Sequence, residues 1–480
     1  MASWWSGRQS ASDRRRDWGR VRAPLRIERS PPTHVSARTP HPEETIVAKL
    51  LPLLLTFGAL AACPSSSAPV TPDNGPVVVI ADEDPAAPAP PPADPRPAVA
   101  AAPAAPEGSA KAAADANNAF AFALYDQLRV GAGNRFVSPV SLSLALSMTS
   151  LGAAGTTEAE MRAALRLPES GAHASFGALQ RELTDDRGPK TQIAIANRLW
   201  GQAGYAFQDA FLAAATKHYG AGLERVDFAA SEAARATING WVSGQTHEKI
   251  PNLIPSGLLT AQTKLVLTNA VYFKGLWAEA FAAADTKPAD FFVSADKTVS
   301  AELMYRKGSF DYAEDERAQV LSMPYQGAGI SMIVVLPKAK DGLAALEAGL
   351  AADLPGWLDA LGGRRIEVYF PRFEMRVNTA MKAPLTALGM RTAFTQAADF
   401  SPMSGAKDLY ISAVIHEAYV LVDEAGTEAA AATAVVMTRK SAAPRPAPVF
   451  RADHPFFFAL RDDRSGALLF MGRVADPTAG

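Results

Sequence analysis

Two stretches of the chain, Ser294-Ala-Asp-Lys297 and Ser404-Gly-Ala-Lys407, spell Ser-x-x-Lys. In penicillin-recognising serine hydrolases this spacing brings a lysine amine to a serine nucleophile at a helix N-terminus, and a later Lys-Thr-Gly strand completes the site. Lys-Thr-Gly occurs nowhere here, and both serines lie in polar, loop-like stretches. The seven histidines (34, 41, 173, 218, 247, 416 and 454) form no His-Glu-x-x-His and no pair at the spacing of a helical zinc site. Gly-x-Ser-x-Gly, the phosphate-binding loop and Gly-x-Gly-x-x-Gly are absent as well. Turnover is not expected of this chain, and nothing in it asks for a metal or cofactor.

A different kind of chemistry is written between Glu424 and Thr433. An alanine-rich run is the best intrinsic helix former, so Glu428 to Ala434 taken alone reads as a surface helix. Its surroundings argue for a loop instead. The run comes after an extended segment ending at Asp423-Glu424, Gly426 supplies a flexible joint, and Val435, Val436, Pro444, Pro446 and Pro448 lie beyond it. In an extended segment alternate side chains share one face, and a face that meets a filled core requires them to be small. Thr427, Ala429, Ala431 and Thr433 meet this at period 2, and Glu428 falls on the opposite, solvated face.

The elements that would position such a segment come from the rest of the 480 residues. Hydrophobic residues are 48%, charged residues 20% and the net charge is −2. That balance suits a folded core and argues against a disordered chain, a multi-span membrane protein or a nucleic-acid binder relying on a basic surface. A single cysteine, Cys63, excludes an internal disulfide framework.

Residues 1–46 are rich in arginine (Arg8, Arg14, Arg15, Arg16, Arg20, Arg22, Arg26, Arg29, Arg38) and lack a sustained period. They read either as a basic anion-binding arm or as a non-native upstream extension, the latter favoured because a signal-like segment begins only at Val47. There one charge at Lys49 precedes an apolar run too short to span a bilayer, which ends in Leu60-Ala61-Ala62-Cys63. That ending resembles a bacterial lipoprotein box, whose cysteine is lipidated and becomes the N-terminus. A normal signal would not lie so deep if translation starts at Met1. Residues 64–112 are dominated by Pro and Ala, cannot bury enough apolar area to offset ordering, and are expected to be a disordered tether.

From 113 to 480 no linker interrupts the chain. Phe120, Leu124 and Leu128 share a helix face, and Ser138 with Pro139 forms an N-cap and first turn. Leu265–Phe273 is apolar on both alternating faces, as in a strand covered on both sides. Ser331–Pro337, Ile366–Phe370 and Leu409–Asp423 read the same way, and Phe456–Leu460 with Leu468–Met471 form a closing hairpin across Asp462–Gly466. Helices early and strands late indicate an α+β domain.

The order of short motifs resembles the serpin (serine protease inhibitor) family over essentially this whole domain. They are Ser138-Pro139-Val140-Ser141, Leu151-Gly-Ala-Ala-Gly-Thr156, Ala196-Asn197-Arg-Leu-Trp200, Ile238-Asn239-Gly-Trp241-Val242 with Thr246 and Lys249-Ile250, and Asn269-Ala-Val-Tyr-Phe273-Lys274-Gly275-Leu-Trp277. Met323-Pro324-Tyr325, Phe370-Pro371-Arg-Phe373, Ala398-Asp399-Phe400-Ser401, His416-Glu-Ala, Glu424 to Thr433, Asp453-His454-Pro455-Phe456 and Phe470-Met-Gly472 continue in the family order.

The resemblance implies the serpin fold: helices around a large central sheet, smaller sheets, and an exposed reactive-centre loop. It also implies suicide inhibition, in which a serine protease is held in a covalent one-to-one complex after the cut loop inserts as a new strand. The loop hinge would be Glu424, Gly426, Thr427, Glu428, Ala429, Ala430, Ala431, Ala432 and Thr433. Counted with Glu424 as the first, the seventeenth residue is Lys440, giving Lys440–Ser441 as the reactive bond, with Arg439–Lys440 as the alternative. A basic residue there matches a trypsin-like S1 pocket with a buried acid. Ser138, Ser141, Asn269 and His416 would form the polar cluster where the sheet opens, and Trp277 would mark its upper opening. The expectation is a monomer without nucleic-acid partner or cofactor, secreted or held at the cell envelope by a lipid on Cys63. The alternative is a non-inhibitory serpin acting as substrate, carrier or chaperone.

Overall fold

The computed structural model describes residues 109–185, 191–220, 222–327, 329–427 and 447–479. Cys63, the tether up to 108, the hinge residues from Glu428 to Thr433, and Arg439, Lys440 and Ser441 lie outside the described residues.

The helices are α1 (Ser109–Leu128), α2 (Pro139–Ser150), α3 (Gly155–Ala164), α4 (Ala172–Thr184), α5 (Asp209–Tyr219), α6 (Ser231–Gln245), α7 (Leu343–Asp359), α8 (Lys382–Ala387) and α9 (Ser401–Ser404). The strands are β1 (Arg135–Val137), β2 (Thr191–Gln202), β3 (Leu223–Val226), β4 (Leu265–Leu276), β5 (Lys287–Ser294), β6 (Lys297–Glu314), β7 (Ala318–Pro324) and β8 (Ile330–Pro337). They continue with β9 (Gly362–Pro371), β10 (Phe373–Ala380), β11 (Val414–Val422), β12 (Gly426–Thr427), β13 (Val449–Arg451), β14 (Phe456–Asp462) and β15 (Leu468–Val474). Among the described residues, helices dominate before about residue 250 and strands after it.

Two sheets result. One runs β1-β15-β14-β8-β7-β6-β9-β13, with β5 added on β6. The other, in which the site lies, runs β10-β11-β12-β4-β2-β3. The burial of β4 explains why its sequence is largely apolar on both alternating faces. Leu265, Leu267, Val271 and Phe273 join the main core, while Val266 and Ala270 meet Ile238 and Val242 of α6 on the other face. With period 2 both faces are covered, so both are largely apolar.

α2 lies within the main core, and every residue from Pro139 to Ser150 is buried. A helix without a solvent face must satisfy its own polar side chains, and it does. Ser143 Oγ donates to Pro139 O at 2.7 Å and Thr149 Oγ1 to Ala145 O at 2.9 Å. Its start is as expected: Ser138 caps it, accepting from Ser141 N, and Pro139 opens the first turn.

Two boundaries differ from the sequence expectation. Helix α1 begins at Ser109, within the stretch assigned to the tether, because Ala110–Ala114 is a run of strong helix formers whose Ala113 and Ala114 reach the core. The strand expected from Leu409 begins at Val414. Leu409 and Ile411 are buried, but Ile411 N–H donates to Ala393 O at 2.9 Å, so its backbone bonds a loop rather than a sheet neighbour.

Candidate functional site

The seam between β4 and β11 has two ends of different construction. At its lower end the strands are direct parallel neighbours, from Val414↔Leu267 to Ala418↔Val271. Here Asn197 of β2 pairs across with Asn269 of β4, and Asn269 with His416 of β11. Cross-strand neighbours share a face, so three polar side chains line up toward the start of α2.

Their hydrogen bonds determine the chemistry. Ser138 N–H donates to His416 Nε2 at 3.0 Å, so Nε2 is the acceptor and Nδ1 carries the proton. That Nδ1–H goes to Asn269 Oδ1. The amide of Asn269 then donates to Ser141 Oγ at 2.6 Å and to Asn197 Oδ1 at 2.8 Å. Ser141 Oγ donates to Asn197 Oδ1 at 3.0 Å, and Ser138 Oγ to Leu469 O at 2.7 Å. Both ring nitrogens of His416 are used only if the ring is neutral. Full burial drives its pKa down to about 3. A second proton, on Nε2, would face the Ser138 N–H.

Above Ala418 the strands part. At the top, Thr427 pairs with both Val422 of β11 and Gly275 of β4, and Gly426 pairs with Leu276. Direct neighbours lie about 4.8 Å apart, so two strands that share a third stand roughly twice that distance. Thr427 is fully buried, and its hydroxyl meets Tyr325 Oη at 2.7 Å. Gly426 is therefore more than the joint its sequence position implies. Its φ is +153°, and a Cβ there would sit 2.1 Å from Gly275 O, so only glycine permits this close approach.

The segment after β4 grips the chain just before the hinge. Trp277 N–H donates to Ala425 O at 2.9 Å, the Trp277 indole N–H to Asp423 O at 3.0 Å, and Phe281 N–H to Glu424 O at 2.9 Å. The Trp277 ring stacks on Tyr325 with centroids 4.5 Å apart. Glu424 turns inward and accepts from Arg372 Nε at 2.8 Å and Nη2 at 2.5 Å, and from Thr286 Oγ1. Burial would raise its pKa, but the Arg372 and Thr286 hydrogen bonds outweigh burial and hold it low. Burial dominates at neighbouring Asp423, whose pKa is raised.

The four residues assigned to the opening cluster thus come together, and Trp277 stands at the upper opening with Glu424, Gly426 and Thr427. Asn197, Tyr325, Arg372 and Thr286 carry no role that the sequence assigns. Asn197, Tyr325 and Arg372 nonetheless fall inside the family-ordered motifs, which is the available signal. Ser294 and Lys297 are the two sides of the β5–β6 turn, and Ser404 ends α9 while Lys407 pairs with Asp399 at 2.6 Å. Neither serine sits at a helix N-terminus.

A family model described as Serpin (serine protease inhibitor) matches residues 115–477. The chain belongs to the serpin family. It is 42% identical over 374 residues to the leukocyte elastase inhibitor of Bos taurus, covering 75% of this chain and 98% of that protein. Among solved structures it is similar to Serpin48 of the insect Tenebrio molitor, with a TM-score of 0.68 and 31% identity over 76% of this chain and 98% of that one. It is likewise similar to human thyroxine-binding globulin, with a TM-score of 0.71 and 28% identity over 77% and 100%. In this serpin, then, the short strand β12 lies between β4 and β11 at the upper end of their seam.

Proposed function

We propose that this serpin is a suicide inhibitor of serine proteases and performs no turnover of its own. The observation that carries the reading is Thr427: the first small residue of the alternating run already lies buried as a strand between β4 and β11. The residues after it continue that pattern with Ala429, Ala431 and Thr433. A protease serine attacks the loop carbonyl and expels the amine of the next residue. The freed loop then zips downward between the strands and carries the acylated protease with it. Each added backbone hydrogen bond nets about 1 kcal/mol, so a dozen or so make insertion strongly downhill.

Lys440 supplies the carbonyl in this reading, with Arg439 as its neighbour alternative, and the target is a trypsin-like enzyme with an acid in its S1 pocket. The names of the curated relatives favour a second target, an elastase, whose small S1 pocket would take an apolar residue such as Val436 in the same loop. Titrating the chain against trypsin and against leukocyte elastase, with adducts on a denaturing gel and the cut sequenced, separates the readings. A one-to-one band joined through Lys440 or Arg439 supports the first, and a band with elastase through an upstream apolar residue supports the second. Cleavage by both enzymes with full residual activity would overturn inhibition in favour of a carrier or substrate role.

The N-terminal region supports a further part of the proposal: a lipid on Cys63 tethers the monomeric domain outside the cytoplasm. This rests on the chain's own Val47–Cys63, since the bovine, insect and human relatives are animal proteins. The intact mass of the chain from its native host tests it. A species beginning at Cys63 with added acyl mass is expected, and an unmodified Cys63 would overturn the anchor.

A further inference from the structure

A small open-mouthed hollow lies beside the upper seam, walled by Trp277, Phe281, Arg306, Phe310, Met323 and Pro324. Trp277, Phe281, Phe310 and Met323 are buried apolar residues. Arg306 is the exception in chemistry. Its guanidinium lies 4.0 Å over the Phe310 ring and 5.7 Å from that of Phe281, and its side chain is only 16% exposed. One Nη donates to the Glu279 carbonyl oxygen, and the other stands 3.5 Å from the Glu279 carboxylate, a side chain 68% exposed at the rim. The buried Nε has no hydrogen-bond partner.

Buried donors are nearly always satisfied, and an unsatisfied one on a charged group is costly. A permanent cation among aromatic rings, with one donor unused and a hollow beside it, is the arrangement that receives an anion with an apolar body. We propose that this cavity binds a small carboxylate carrying a single aromatic ring or a similarly compact apolar group. The carboxylate oxygens take the Arg306 guanidinium, Nε included, in place of the weak rim contact with Glu279, and the ring lies among Trp277, Phe281, Phe310 and Met323. The same Trp277–Phe281 segment holds Asp423, Glu424 and Ala425 through three hydrogen bonds, so occupancy would stiffen the wall on which the hinge hangs.

The test uses the full chain and no protease, so it stands apart from the inhibitory reading. Phenylacetate and its uncharged analogue phenylacetamide are titrated calorimetrically. One-to-one binding of phenylacetate at least tenfold tighter than of phenylacetamide is expected. Arg306→Met keeps an unbranched stem over Phe310 but removes the charge and donors, and should lose at least tenfold. Glu279→Gln, which removes the competing carboxylate, should bind as tightly as wild type or tighter. Equal affinity for acid and amide, unchanged affinity in Arg306→Met, or no binding of phenylacetate at millimolar concentration would overturn the site. The acid-against-amide comparison needs no variant and survives any folding defect.

Discussion

The two ends of the β4–β11 seam are closed by different physics. The lower end is closed by the sheet itself: two strands in direct ladder, locked from beneath by neutral hydrogen bonds among buried Ser138, Ser141, Asn269 and His416 and part-buried Asn197. The upper end is closed by the loop's own first residues, wedged between strands that have already separated and held by an aromatic stack and an ion pair. A neutral network in a dry interior resists opening until something charges it. A wedge at a rim is the beginning of opening. On the proposed inhibitory reading, insertion begins at the top and is gated at the bottom, so substitutions at the two ends should act on different quantities.

The sharpest way to break this contrast is at Thr427. Thr427→Arg places an unpaired charge where the side chain is fully buried, a change worth several kcal/mol against insertion. The denaturing-gel adduct should disappear while loop cleavage persists, with more than ten inhibitor molecules consumed per protease silenced. An undiminished adduct would show that the wedge is not the start of insertion.

Next in size is acid acting at the bottom. His416 stays neutral in the fold down to about pH 3, whereas in the unfolded chain it takes a proton near pH 6.5. Its contribution is therefore complete above about pH 6.5 and is lost as pH falls toward 3. The slope is about 1.4 kcal/mol per unit, summing to roughly 5 kcal/mol. Urea midpoints at pH 7, 5 and 4 measure this, and His416→Gln should flatten that part of the profile. Equal pH slopes for the two proteins would remove His416 from the gate.

Asn269→Ala sharpens the picture further. It leaves His416 Nδ1–H without its acceptor and Ser141 Oγ without its donor, at about 1–3 kcal/mol. Its melting temperature should drop while the site of loop cleavage stays unchanged. A drop no larger than for a surface alanine substitution would count against the network. The smallest effect belongs to the upper rim. Arg372 is nearly half exposed, so Arg372→Met should cost only about 1–2 kcal/mol by stranding Glu424, and added salt should narrow the gap from wild type. A salt-independent difference would mean that the aromatic stack alone holds the top.

Much of this is legible in the sequence. The largely apolar pattern of Leu265–Phe273 on both alternating faces marks a strand covered on both sides, Ser138-Pro139 marks a helix start, and the motif order identifies the domain. Ser138, Ser141, Asn269, His416 and Trp277 can be placed in roles because each sits in a motif of characteristic order. Asn197 and Arg372 sit in such motifs too but gain no role from them, because an asparagine in a strand or an arginine after a proline has no local signature of what it touches. Gly426 reads only as a joint, since the carbonyl of Gly275 that would lie 2.1 Å from an added Cβ belongs to the neighbouring strand.

By itself the sequence determined the elements and the small, alternating side chains of the loop, because period and side-chain size are local properties of the chain. Only the tertiary structure decided that Thr427 already sits in the sheet beside Tyr325, that His416 is held neutral by a backbone N–H of Ser138, and that Glu424 faces Arg372. Those partners are 102, 278 and 52 residues apart along the chain. Contacts at such separations exist only once the sheet has set its strand order and register, which no local pattern encodes.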